Sequence, residues 1–294
     1  MKAVLRSILR ARQRHATLPL YEFMRDESVP TRCRLSFYPC VGLVVIALDD
    51  LAKHVLRDER SCEKYQQVVN AHCWEGDSRL GWYLADLSNL GFDRQASIGA
   101  AQRSLFGDAT RVGRLLGIKL GHLVYGASPV ERLVIIEAIE AAGGLLFRLM
   151  AQLANELRAD HGPALRRLGG FDLCREPGNG VGKSRIELLR EISLEPGGRA
   201  RCMTHVERVF YLFREWTAEL LAFAVTRRDD EQDDVRALDE EEPIDDDTWS
   251  APPWYSHVML DLEPRAAGAA HQEMNSDPEA VRRDPPVVGG WTSL

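Results

Sequence analysis

Over residues 199–225, Val206, Val209, Phe210, Leu212, Phe213, Trp216, Leu220 and Phe223 recur at helical spacing. That period gives an α-helix with one broad apolar side, which other elements have to cover. Helical readings also suit residues 1–25, the mostly apolar run 34–56, and residues 59–90, 94–125 and 129–160. No run of alternating or β-branched residues framed by hairpin turns interrupts them. The fold class this predicts is all-α, a multi-helical bundle.

Punctuation in the sequence supports that division. Pro30 breaks the first helical pattern, and Pro39 marks a helix start or kink. Gly91 is placed to close the helix over 59–90 in the left-handed conformation. Ser128-Pro129-x-Glu131 reads as an N-terminal cap with proline at the first helical position. Gly113, Gly117 and Gly121, four apart, make a smooth ridge that predicts close approach of another helix. Residues 161–183 are rich in Gly and Pro and read as irregular. A short helix is expected over 184–194, ended by Glu195-Pro196-Gly197-Gly198.

Charge is unevenly spread. The chain of 294 residues carries a net −7, but twelve Asp/Glu against one Arg fall within 229–247, so the remainder sums to +4. The expected organisation is a helical domain over 1–228 and a disordered, acidic, proline-containing tail over 229–294. Within the tail, W-S-A-P-P-W-Y-S reads as a solvated linker or a short docking motif for a protein partner. An acidic tail competes for a basic body, which argues against nucleic acid as the main partner. Six scattered cysteines without a C-x-x-C pair predict buried thiols in a reducing cytoplasm. Residues 42–48 are too short to span a bilayer and run into Asp49-Asp50, so no membrane partner is expected. The basic, amphipathic start reads as a first core helix with a solvated face, against the alternative of a transit peptide or surface helix.

Chemistry concentrates at residues 70–91, N-A-H-C-W-E-G-D-S-R-L-G-W-Y-L-A-D-L-S-N-L-G. His72, Glu75, Arg79, Trp82 and Asp86 follow at steps of three or four, which on one helix stacks them along a single stripe. Charges there share a surface with large apolar side chains, and a half-buried carboxylate needs a cation beside it. One reading is an internal row of salt bridges with Glu75 paired to Arg79; the other is one wall of a metal or catalytic pocket between facing helices. Glu137 and Glu140, set among Ile135, Ile136, Ile139, Leu145, Leu146 and Phe147, ask for partners in the same way. Residues 177–184, P-G-N-G-V-G-K-S, approach a phosphate-binding loop but place Pro177 where its first glycine belongs, and no buried strand precedes them.

With these residues placed on helices, the chain resembles the haem-oxygenase-like family of iron-containing redox proteins, which includes non-haem diiron oxidases and N-oxygenases. The resemblance spans most of residues 10–225. It starts at L-S-F-Y-P-C-V-G-L-V-V-I-A-L-D-D-L and is strongest at 70–91, where Asn70, His72, Glu75, Trp82, Asp86, Leu87, Leu90 and Gly91 match the family pattern. Cys73 stands where Thr is usual, Gly76 where a second acid is usual, Leu80 where Trp is usual and Arg79 where a His ligand is expected. I-E-A-I-E-A-A-G-G-L-L-F resembles the carboxylate helix, with Glu140 on its ligand position. L-G-G-F-D-L-C-R-E-P-G-N resembles the third ligand helix; Glu176 matches, and Asp172 and Asn179 occupy its two His positions.

The resemblance implies a haem-oxygenase-like bundle and a non-haem, metal-dependent oxidase or oxygenase acting on a small amine or acid in bacterial secondary metabolism. Glu75, Glu140, Asp172 and Glu176 would hold the metal, and His72, Asp86 and Arg79 would act on oxygen, substrate or ligand. Iron is the family's metal; an all-carboxylate set suits manganese or magnesium better. Arg79 instead permits a metal-free binding or partner protein, its guanidinium pairing Glu140 or Glu176 in the place of a metal. Haem held by His15 is a third and weaker reading, since a lone His is more often structural.

Overall fold

The computed structural model describes residues 1–75, 79–92, 97–161 and 181–237. Every element among them is helical: α1 (Lys2–His15), α2 (Pro19–Arg25), α3 (Thr31–Arg34), α4 (Tyr38–Leu51), a wider π-turn over Ala52–Leu56, α5 (Lys64–Glu75), α6 (Arg79–Asn89) and α7 (Ile98–Phe106). A 3₁₀ turn at Asp108–Thr110 leads into α8 (Arg111–Val124), followed by α9 (Pro129–His161), α10 (Val181–Glu191) and α11 (Pro196–Ala237). Contacts divide the chain into two units, Met1–Asp239 and Glu240–Leu294, and the second, with most of the expected tail, lies outside the described residues.

α9 and α11 are the longest helices and pack on each other; α1 lies against both, α5 against α9, and α8 between α4 and α11. Val206, Val209, Phe210, Leu212, Phe213, Trp216 and Leu220 of α11 are buried as their spacing predicts, and Phe223 packs at the edge of the core. Each such side chain contributes roughly 1.5–3 kcal/mol by leaving water. The helix extends beyond the expected 199–225 at both ends and carries the first acidic residues as far as Ala237. Pro196 takes its first position, where a missing N–H costs nothing. Thr31–Leu56 is apolar and long enough to cross a membrane, and 56% of its most apolar window is buried inside the protein, as in a core helix.

Several local devices read from the sequence are present as geometry. Gly91 has φ +68°. Its N–H donates to Ser88 O at 3.0 Å, and the Phe92 N–H to Leu87 O at 3.0 Å, the pair of bonds of a Schellman C-cap on α6. Arg32 strengthens this end, donating to the carbonyls of Leu90 and Gly91 at 2.9 Å each while its guanidinium lies 4.7 Å from the Phe92 ring centre. Ser128 and Glu131 form a capping box: the Ser128 N–H donates to the Glu131 carboxylate at 2.8 Å, and the Glu131 N–H to Ser128 Oγ at 3.4 Å.

The glycine ridge works through two neighbours rather than one. A Cβ on Gly117 would come within 2.4 Å of Ala47 Cβ, so the α8 backbone sits directly against the Ala47 methyl of α4 there. Gly113 instead lies under α11, where a Cβ would meet Glu219 Oε1 and Trp216 Nε1 at 3.3 Å.

Other expectations need correction. Residues 1–25 divide into α1 and α2, because Pro19 starts a new helix. Residues 94–125 likewise divide into α7 and α8. Cys40, Cys73 and Cys202 are buried as expected, but Cys62 is exposed.

Candidate functional site

α5 begins at a cap of its own, the Glu63 carboxylate accepting the Gln66 N–H at 2.7 Å. Its inward side is polar to an unusual degree, since Gln66, Asn70 and His72 are buried beside Val69 and Cys73. Those polar groups are satisfied by a network that fixes α5 in place. Gln66 donates to the Leu56 carbonyl at 2.8 Å and to Asn70 Oδ1 at 2.9 Å. Asn70 in turn clasps the Asp58 backbone, accepting its N–H at 2.9 Å and donating to its carbonyl at 2.7 Å. From α9, Arg132 donates to Gln66 Oε1 at 3.0 Å and to the Leu56 carbonyl at 3.4 Å. Asn70, which the resemblance singled out, thus joins α5 to the loop after the π-turn.

This register brings His72 to Glu140. The imidazole Nδ1 lies 3.5 Å from Glu140 Oε1, within ion-pair reach and longer than a good hydrogen bond. His72 is buried, whereas the Glu140 side chain keeps 39% of its surface in solvent, so the seam between α5 and α9 opens to water on the carboxylate side. Glu137, one turn earlier on α9, is buried. An imidazole and a carboxylate so placed can exchange a proton, stabilise an imidazolium, or offer two donors to a cation.

The single stripe expected from His72 to Asp86 is divided. α5 ends at Glu75 and α6 begins at Arg79; α5 packs on α9 and α6 on α4. Asp86 is buried on α6. Tyr83 fixes that helix: its hydroxyl donates to the Pro39 carbonyl at 2.9 Å, and its ring fills the space a Cβ on Gly42 would need. Burial raises the Tyr83 phenol well above its ordinary value. Arg57 stacks 3.7 Å from the ring centre of exposed Trp74, a cation–π contact at the end of α5.

The remaining candidates lie elsewhere. Asp172, Glu176 and Asn179 fall outside the described residues, as do the side chains of Glu75 and Arg79. Among the described residues no group of three or more His, Cys, Asp or Glu side chains converges as a metal cage would. The His72–Glu140 pair has the ligand types of a helical-bundle metal centre but only two of its donors. His15 is buried against Tyr21 and Phe210, ring centres 5.4 and 5.6 Å away, which gives it a packing role at the junction of α1, α2 and α11. Burial lowers its imidazole pKa to about 4.

Compared with known proteins, the chain matches no family model and no curated protein.

Two features of the structure have no counterpart among the sequence-derived candidates: the Arg132–Gln66–Asn70 network and the role of Glu219. From α11, the Glu219 carboxylate accepts the N–H groups of Val112 and Gly113 at 2.5 and 2.8 Å and so caps α8 from outside. Burial raises its carboxyl above the usual range, and the two N–H groups oppose that shift. The four-residue spacing of Gln66 and Asn70 was available as a signal for the first; nothing local foretells the second.

Proposed function

We propose that the chain is a divergent relative of the haem-oxygenase-like non-haem oxidases and oxygenases, with its working centre at the α5–α9 seam, acting on a small amine or acid. The observation that carries this is the 3.5 Å approach of His72 Nδ1 to Glu140 Oε1 between two helices held in register by the Arg132–Gln66–Asn70 network. In this reading Glu140 and His72 furnish the first carboxylate and imidazole, and Glu75, Asp172 and Glu176 complete the set around iron or manganese. A bound metal would supply oxygen activation. The chain's own contribution is a buried imidazole that holds or releases a proton at Nδ1 and a half-exposed carboxylate that meets a cationic substrate group. Substrate enters from the cytoplasm, and the tail offers a contact for a protein partner.

A second reading is favoured by the pair itself. His72 and Glu140 lie at ion-pair distance from each other, as in a metal-free binding protein built on the same scaffold. Oxygen uptake by protein supplied with iron(II) or manganese(II), measured over a panel of small amines and acids, separates the two. Uptake that depends on one substrate class and vanishes in both His72→Ala and Glu140→Ala supports the enzyme. Saturable binding of the same compounds without uptake supports the binding protein.

A further inference from the structure

α7 is an anomaly among the helices, because none of its residues is buried. A nine-residue helix does not persist in water on propensity alone; something has to cover a face of it. Its ends are well tied. Ser97 Oγ caps the start, accepting the Ala100 N–H at 3.2 Å. At the other end Arg114 of α8 donates to the carbonyls of Leu105 and Gly107 at 2.9 and 2.6 Å. Between them Ile98, Leu105 and Phe106 stand 79, 38 and 67% exposed at positions i, i+7 and i+8, one apolar stripe that no hydrophobic side chain among the described residues buries.

The stripe continues onto α8. Arg114 lies 5.7 Å from the Phe106 ring centre and so joins the two helices at one surface. On α8, Arg111, Ile118, His122 and Tyr125 follow at steps of seven, four and three along the outer side, with Ile118 and Tyr125 exposed by 70 and 84%. Over residues 97–128 the sequence carries Arg103, Arg111, Arg114 and Lys119 against a single acid, Asp108, with Glu219 of α11 set against the start of α8, in a chain whose net charge is −7. The surface is therefore apolar and cationic together. Its large apolar side chains are mostly in solvent.

We propose that the α7–α8 ridge docks onto an anionic lipid bilayer, α7 lying in the interface with Ile98, Leu105 and Phe106 inserted and Arg103, Arg111 and Lys119 meeting lipid phosphates. Large apolar side chains on a ridge flanked by cations match the composition of helices that lie in a membrane surface. A pair of such faces from two copies would set cations against cations, which disfavours self-association there. This departs from the expectation of no membrane partner, which rested on the lack of a spanning segment in the sequence.

The test is flotation of the full chain with vesicles of phosphatidylcholine alone or mixed with phosphatidylglycerol, at low and high salt. Flotation with the mixed vesicles only, reversed by salt, is expected. Arg111→Gln with Lys119→Gln should weaken it about fivefold per cation removed. Ile98→Ser with Phe106→Ser should weaken it by about tenfold or more, with an unchanged circular dichroism spectrum. No flotation with anionic vesicles, or flotation unaffected by both pairs of substitutions, overturns the proposal. A mass that rises with protein concentration and returns to the monomer in Ile98→Ser/Phe106→Ser would also overturn it, assigning the face to a protein contact.

Discussion

His72 on α5 and Glu140 on α9 face each other at 3.5 Å, the buried imidazole inside and the carboxylate at the solvent edge. Glu140→Gln, which keeps the shape and removes the charge, should lower stability by about 0.5–1 kcal/mol in urea titrations at low salt and by less at high salt. A stability unchanged at either salt would mean that the two groups are neighbours without electrostatic coupling.

His15 predicts an acid-sensitive step in stability. Its folded-state pKa is depressed to about 4, against an unperturbed 6.5, so the unfolded chain takes up this proton first as pH falls. Stability is unaffected by this group above about pH 7, declines as pH drops through 6.5, and has lost the full contribution below 4. At pH 5 the loss amounts to ~2 kcal/mol. His15→Phe, which keeps a ring between Tyr21 and Phe210, should remove that part of the decline in urea titrations at pH 7 and pH 5.

Two glycines of α8 should respond in opposite directions. At Gly117 a methyl group would overlap Ala47, so Gly117→Ala should cost about 1–3 kcal/mol by forcing α4 and α8 apart. At Gly121 the nearest atom is Leu51 Cδ1 at 3.9 Å, an ordinary contact. Gly121→Ala should therefore gain roughly 0.5–1 kcal/mol from helix propensity. Chemical denaturation of the two variants decides it.

Removing the cap that α11 supplies to α8 should also register. Glu219→Ala leaves the Val112 and Gly113 N–H groups without their acceptor and should cost about 1–2 kcal/mol. Faster amide exchange at the start of α8, with exchange elsewhere less changed, would locate the effect.

Much of the scaffold was legible because its signals are local. Ser128 and Glu131 stand three apart, Gly91 follows a helical pattern, and the α11 side chains repeat at helical spacing; each is a local pattern that specifies its own geometry, which Arg32 at Gly91 and Arg201 at Glu131 then reinforce from a distance. The division of the focal stretch was not read, because the steps from His72 to Asp86 keep a helical period across Gly76-Asp77-Ser78, residue types that favour turns. At the site, the need of Glu140 for a partner was legible, and His72 was a candidate. That the two meet follows from α5 packing on α9, which Gln66, Asn70 and Arg132 set across widely separated parts of the chain.

The most direct test is the metal content, by mass spectrometry, of protein expressed with supplemental iron and manganese, alongside His72→Ala, Glu140→Ala and Glu176→Ala. The account predicts near-stoichiometric metal in the parent chain and its loss in all three variants while the helical signal is retained. A folded parent chain without metal would contradict it and leave the His72–Glu140 seam as a binding site of a metal-free protein.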